Sequence, residues 1–309
     1  MYEIIPTKHM ERSEWLCLRK TGLGGSDAGA VCGLNPYSSA MKVFQDKTTE
    51  NDEEMDSEAM RQGRDLENYV ASRFSEATGL RVRRSNQMYR SKEHPFMIAD
   101  VDRLIVGEDA GLECKTANAY NTDKWKDGEI PAHYAVQCYH YMAVTGRKSW
   151  YIAVVLLGVG FQYTKLTWDD EIIQNLIQLE KRFWQEHVEK RIMPEPDGST
   201  ACDAVLEQYF HTARRNSTVP LIGFDGKLER RQELDGLIQK LELEKRQIDQ
   251  EVKLAMGENE TAVSARFRVS WTNVNTSRLD AKRMKMELPE VYRDFCVLNS
   301  SRRFMVKAA

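Results

Sequence analysis

The chain has 309 residues, 41% of them hydrophobic and 29% charged, with a formal net charge of −3. This suits a soluble globular protein with one large core or two smaller ones. It counts against a uniformly basic nucleic-acid binder, and the longest apolar run, Tyr151 to Val159, is strand-sized against the ~18 residues of a membrane span.

Acids clustered in one place can still hide a basic groove elsewhere. The opening residues, MYEIIPTKHMERSEW, carry acids and lack a signal-peptide apolar core, so a cytoplasmic location is expected. The six cysteines are scattered without a CxxC, which reads as reduced thiols with no ligand set for an iron–sulfur cluster.

In chain order, residues 8–20 read as a helix bearing Trp15, Leu16 and Leu18, and the glycine-rich stretch Thr21 to Asp27 breaks it. Ser26 or Asp27 can cap a second helix running to about Cys32. Asn35-Pro36-Tyr37-Ser38-Ser39 turns into a helix over 39–48, and 49–57 is acidic and polar, as in a loop. The next helix runs from Ser57 to Thr78 and stops at Gly79, with Met60, Gly63, Leu66, Val70, Phe74 and Ala77 as its apolar stripe. Glu67 lies on that stripe. Either it reaches solvent at the stripe's edge or a partner offsets the cost of burying an acid.

Val101 to Val106 and Leu112 to Thr116 read as two strands joined by the turn residues Gly107 to Gly111, a β-hairpin. Alternation along a strand puts Glu113 and Lys115 on one face and Leu112 and Cys114 on the other. The hairpin can bring Asp102 near that pair. Two carboxylates at one point call for a cation or a shared proton, and a neighbouring lysine suits an anionic, phosphate-like group. The acid-x-Lys spacing alone is weak, since Asp225-Gly226-Lys227, Glu251-Val252-Lys253 and Asp280-Ala281-Lys282 also fit it.

Beyond the hairpin come a polar loop over 117–130 and a helix after Pro131 carrying His133, Tyr134, Gln137 and Tyr141. Strands follow over Ser149 to Leu157 and Gly158 to Thr167, then an amphipathic helix from Asp169 to Lys190. A boundary is expected at the Pro- and Gly-containing stretch ending at Gly198. Past it, Leu234, Leu241, Ile248 and Ala255 recur every seven residues in a Glu/Lys-rich helix over 228–256, which could form a coiled hairpin with 201–216. Strand-like alternation over 262–272, a short helix near 280–287 and a closing strand, Arg302 to Val306, complete the reading.

Four blocks stand in a fixed order: Trp15 to Asp27; Gly63-Arg64-Asp65-Leu66-Glu67; Asp102 with Glu113-Cys114-Lys115; and Tyr134-Ala135-Val136-Gln137-Cys138-Tyr139. Together, over about residues 10–190, they resemble the lambda-exonuclease/YqaJ family of phage recombination nucleases, a branch of the PD-(D/E)xK superfamily. The resemblance implies an α/β fold over 1–198, a restriction-endonuclease-like core whose mixed central sheet is flanked by helices. A smaller C-terminal α+β region with a long helix would occupy 199–309.

The resemblance also implies roles. Asp102 and Glu113 would ligate Mg²⁺ or Mn²⁺ with the Cys114 carbonyl, and Glu67 would contact the metal or its water. Lys115 would orient or deprotonate the attacking water and offset transition-state charge. Gln137 would fix the lysine or the scissile region, supported by Tyr134, and Arg19 with Ser26 would form a pocket for a 5′-phosphate. The implied activity is 5′→3′ resection of one strand at double-stranded DNA ends. It would expose a 3′ strand for a single-strand annealing protein, in a phage- or prophage-encoded bacterial protein that could be a homo-oligomer. The chain departs from the family pattern at Val101-Asp102, where a Pro-Asp pair is usual. Asp100 competes as a ligand, but Asp102 holds the family's spacing to Glu113. Two rival readings are a Cas4-like or structure-specific endonuclease and a catalytically silent DNA- or protein-binding module.

Overall fold

The computed structural model describes residues 1–49, 57–298 and 301–307; the loop expected over 49–57 falls almost wholly outside them. The chain divides into two compact units, Met1–Tyr209 and Phe210–Ala309.

The first unit begins with β1 (Tyr2–Pro6), α1 (Arg12–Lys20), α2 (Gly25–Val31), α3 (Ala40–Thr48) and α4 (Glu58–Thr78). Ser57 caps α4 by accepting the Met60 N–H, and Gly79 ends it in the left-handed region at φ 73°. At α2 the expected cap is corrected. Gly24 is the N-cap and Asp27 lies inside the first turn, its carboxylate accepting the Gly24 N–H at 2.9 Å. Next come β2 (Val82–Arg84), β3 (Gln87–Ser91), β4 (Ile98–Asp100), β5 (Arg103–Ile105), β6 (Ala110–Ala117) and a 3₁₀ segment, Ala119–Gly128. The unit continues through α5 (Ala132–Thr145), β7 (Ser149–Leu156), β8 (Gly160–Thr167), α6 (Asp170–Phe183) and α7 (Thr200–Tyr209). A π-helical turn, Trp184–Val188, extends α6.

A five-stranded sheet in the order β2-β5-β6-β7-β8 forms the centre, and β1-β3-β4 make a smaller sheet. The central sheet is mixed: β6 and β7 run parallel, and the other neighbours are antiparallel. Every residue of β7 is buried, as expected of an inner strand covered on both faces. Trp150, Ile152, Val154 and Leu156 enter a core shared with α5 and α6, while Tyr151, Ala153 and Val155 meet Val70 and Phe74 of α4 on the opposite face. Leu112 and Cys114 of β6 also face α4, which turns Glu113 and Lys115 toward α5. Helix α7 packs Cys202 and Val205 on Met41 of α3, so it belongs to the first unit.

The second unit holds α8 (Asp225–Met256), the hairpin of β9 (Thr261–Val263) and β10 (Arg268–Ser270), α9 (Ala281–Glu287) and α10 (Pro289–Asp294). Met256 is the one residue of α8 that is buried. The closing strand expected over Arg302 to Val306 does not form; that segment has no regular structure. No helix among the described residues is long and apolar enough to cross a membrane.

Candidate active site

Glu113 is the centre of the cluster. It lies in β6 at 3% exposure, and its Oε1 accepts from Lys115 Nζ at 2.6 Å and from Gln137 Nε2 at 2.8 Å. Its Oε2 is buried with no hydrogen-bond partner among the described residues. Gln137, on α5, also donates to the Tyr141 hydroxyl at 2.8 Å, so the carboxamide is held from both sides. Asp102 sits just before β5, where its Oδ2 accepts the backbone N–H of Cys114 at 2.8 Å across the hairpin. The antiparallel register, Arg103 opposite Leu112, produces that contact.

Burial and the neighbouring Glu113 charge push the Asp102 carboxyl well above its ordinary range. Burial pushes Glu113 up as well, tempered by Lys115. Burial opposes the charge on Lys115, yet Glu113 and Asp102 outweigh it and hold the ammonium protonated. The ammonium also stands 4.7 Å from the centre of the Tyr134 ring. Cys114 faces away from this group, and burial followed by the nearby acids raises its thiol, leaving it inert.

Glu67 reaches the same region from α4, but its carboxylate is claimed by Arg103. Arg103 is itself buried. It also donates to the Asp102 carbonyl at 2.9 Å and to Asn68 Oδ1 at 2.7 Å. Sequence reasoning missed it, although an arginine between Asp102 and Leu104 in a buried strand demands an acidic partner. Asp100, the competing ligand, is tied elsewhere: its Oδ2 accepts Trp15 Nε1–H at 2.8 Å.

Arg19 and Ser26 are brought together, Nη2 donating to Oγ at 3.2 Å, with the Arg19 guanidinium 4.9 Å from the Trp15 ring. Beneath them Lys47 pairs with Asp27 at 2.7 Å and donates to the Arg19 carbonyl at 2.9 Å. Thus Asp102, Glu113, Lys115, Gln137 and Tyr134 form one cluster with Glu67 at its edge, and Arg19 with Ser26 form a second.

The donor set fits a hard divalent ion: two buried carboxylates with raised pKa values and an unpartnered carboxylate oxygen. No ready-made cage of three His, Cys, Asp or Glu side chains exists among the described residues. Glu67 is paired with Arg103, and Glu113 with Lys115.

Residues 14–148 match the model of the YqaJ-like viral recombinase domain. The chain is 35% identical to the YqaJ protein of Bacillus subtilis (strain 168) over 305 residues, 96% of this chain and 95% of that one. Its fold is similar to that of the exonuclease LHK-Exo, solved in complex with dAMP, with a TM-score of 0.50 at 20% identity; 65% of this chain and 99% of that one are covered. Another structure, titled as an alkaline exonuclease (LHK-Exo) from Laribacter hongkongensis, gives 0.49 at 21% identity, covering 58% and 93%.

Proposed function

The chain belongs to the YqaJ-like viral recombinase domain family, and we propose that it is a metal-dependent DNA exonuclease that resects one strand of a duplex end in the 5′→3′ direction. The observation that carries this reading is Glu113: a buried carboxylate with one oxygen shared by Lys115 and Gln137 and the other unpartnered, its charge close enough to raise the Asp102 carboxyl.

Asp102 and Glu113 would hold Mg²⁺ or Mn²⁺, with the Cys114 carbonyl and Glu67 completing the set. A bound divalent ion supplies Lewis-acid polarisation of the phosphodiester and activation of water. The chain's own groups do the rest. Lys115, kept in its ammonium form, offsets the negative charge that grows on the phosphoryl oxygens during attack. Gln137 fixes the Glu113 carboxylate, and the Tyr134 ring limits where the ammonium can go. Arg103 balances Glu67, so the region carries three carboxylates against two cations instead of one. Arg19 and Ser26 receive a terminal 5′-phosphate, and this favours digestion from an end over internal cutting. The exposed 3′ strand would pass to a single-strand annealing protein in the cytoplasm of a phage-bearing bacterium.

End-labelled linear duplex carrying either a 5′-phosphate or a 5′-hydroxyl, incubated with Mg²⁺ or with EDTA, tests the proposal. Digestion should need the metal, start at the phosphorylated end, spare closed circular DNA and fall at least a hundredfold in Lys115→Ala. Cutting of circular DNA at the rate of linear DNA would favour the endonuclease reading. No cutting under any condition would leave a binding module.

A further inference from the structure

Tyr37, between α2 and α3, is 68% exposed, yet its backbone is firmly held. The Gly29 carbonyl accepts the N–H groups of Leu34 at 2.9 Å and Asn35 at 3.1 Å. Asn35 Oδ1 then accepts the Tyr37 N–H at 2.9 Å, an Asx turn stiffened by Pro36. From the other side the start of α5 comes in so close that a Cβ at Gly29 would lie 2.9 Å from His133 Cβ.

The result is a row of rings leading inward from solvent. Tyr37 meets His133 edge-on, with centroids 6.2 Å apart, and His133 lies 4.0 Å from Tyr134. Tyr134 stacks at 5.7 Å on buried Trp125 and has the Lys115 ammonium over its ring. His133 Nε2 is buried with no hydrogen-bond partner among the described residues. Burial, then Lys115 and Lys124, pull the imidazole down to about 4, so the ring is neutral at physiological pH.

We propose that Tyr37, backed by His133, forms a stacking subsite for one unpaired nucleobase of the strand whose phosphate lies at Lys115. This rests on the nuclease reading above. A nucleobase offers what the exposed Tyr37 ring lacks, a flat π-face to stack against. Lys115 and Lys124 nearby suit the phosphates on either side of it. Because the turn already orders Tyr37, stacking costs little further conformational freedom.

The test uses the full chain with Glu113→Gln as a background that binds DNA without cutting it. The probe is a 5′-phosphorylated duplex with 2-aminopurine at the first, second or third nucleotide and a distal dye for anisotropy. At one of these positions the probe should be quenched on binding. Tyr37→Ala or His133→Ala should restore its fluorescence and weaken binding about tenfold or more, while Tyr37→Phe should behave as the background does. If Tyr37→Ala matches the background in quenching at all three positions and in affinity within twofold, the subsite is refuted. An equal loss in Tyr37→Phe would also refute it, since the hydroxyl and not the ring would then be at work. If the background protein gives no anisotropy change with DNA at all, the nuclease reading itself fails and the subsite with it.

Discussion

Without a bound cation, Asp102 and Glu113 oppose folding. Each carboxyl titrates above its ordinary range, first through burial and then, for Asp102, through the charge of Glu113. The unfolded chain therefore sheds these protons at lower pH than the folded one, so this contribution to stability falls as pH rises from the ordinary carboxylate range toward the folded pKa. Asp102→Asn removes it. In EDTA near neutral pH the variant should melt above the parent, with the gap closing on acidification, and Mg²⁺ should raise the parent's midpoint more than the variant's. Equal midpoints for parent and variant in EDTA at neutral pH would contradict this electrostatic account. Asp27 works the opposite way. Burial raises its pKa, but Lys47 and Arg19 outweigh that and hold the carboxyl low, so its contribution is present above the ordinary aspartate range and lost as pH falls. Lys47 and Asp27 are 4% and 14% exposed, and Lys47→Met should cost about 3–5 kcal/mol in urea unfolding by stranding a buried charge.

Gly111 and Gly25 are two of the glycines at which elements approach closely. A Cβ at Gly111 of β6 would lie 2.3 Å from the Trp150 ring, which is fully buried in β7. Gly111→Ala should therefore destabilise the sheet by about 1–3 kcal/mol or more, measured by denaturant midpoint. At Gly25, in the first turn of α2, a Cβ would meet the Tyr141 ring at 2.6 Å and Gln137 Cγ at 3.0 Å. These two residues brace Glu113, so Gly25→Ala should lower kcat by tenfold or more while urea stability falls by about 1–3 kcal/mol. A Gly25→Ala enzyme with parental kcat would show that the Gln137 brace is dispensable.

At the scale of the whole chain, a net charge of −3 means that the proposed DNA binding would rest on a local set of cations, among them Arg19 and Lys115. Affinity should fall with salt at a slope of about −0.9 per phosphate neutralised on a log–log plot, and Arg19→Ala should reduce that slope by about one unit. A slope unaffected by Arg19→Ala would remove that residue from the phosphate pocket.

Local periodicity was enough to place Glu113 and Lys115 together, because strand alternation alone puts residues two apart on one face. The same holds for the stop of α4 at Gly79 and for the inert direction of Cys114. The match to a known order of motifs implies the α/β fold with a mixed central sheet flanked by helices. Three features of the site have no counterpart in such patterns: the bond from Gln137 to Glu113, the claim of Arg103 on Glu67, and the tie from Trp15 to Asp100. Each joins residues from separate elements. Which buried acid finds which donor is decided only when helices and strands close on one another, since in a dry interior each charge must take whatever partner the packing brings within reach.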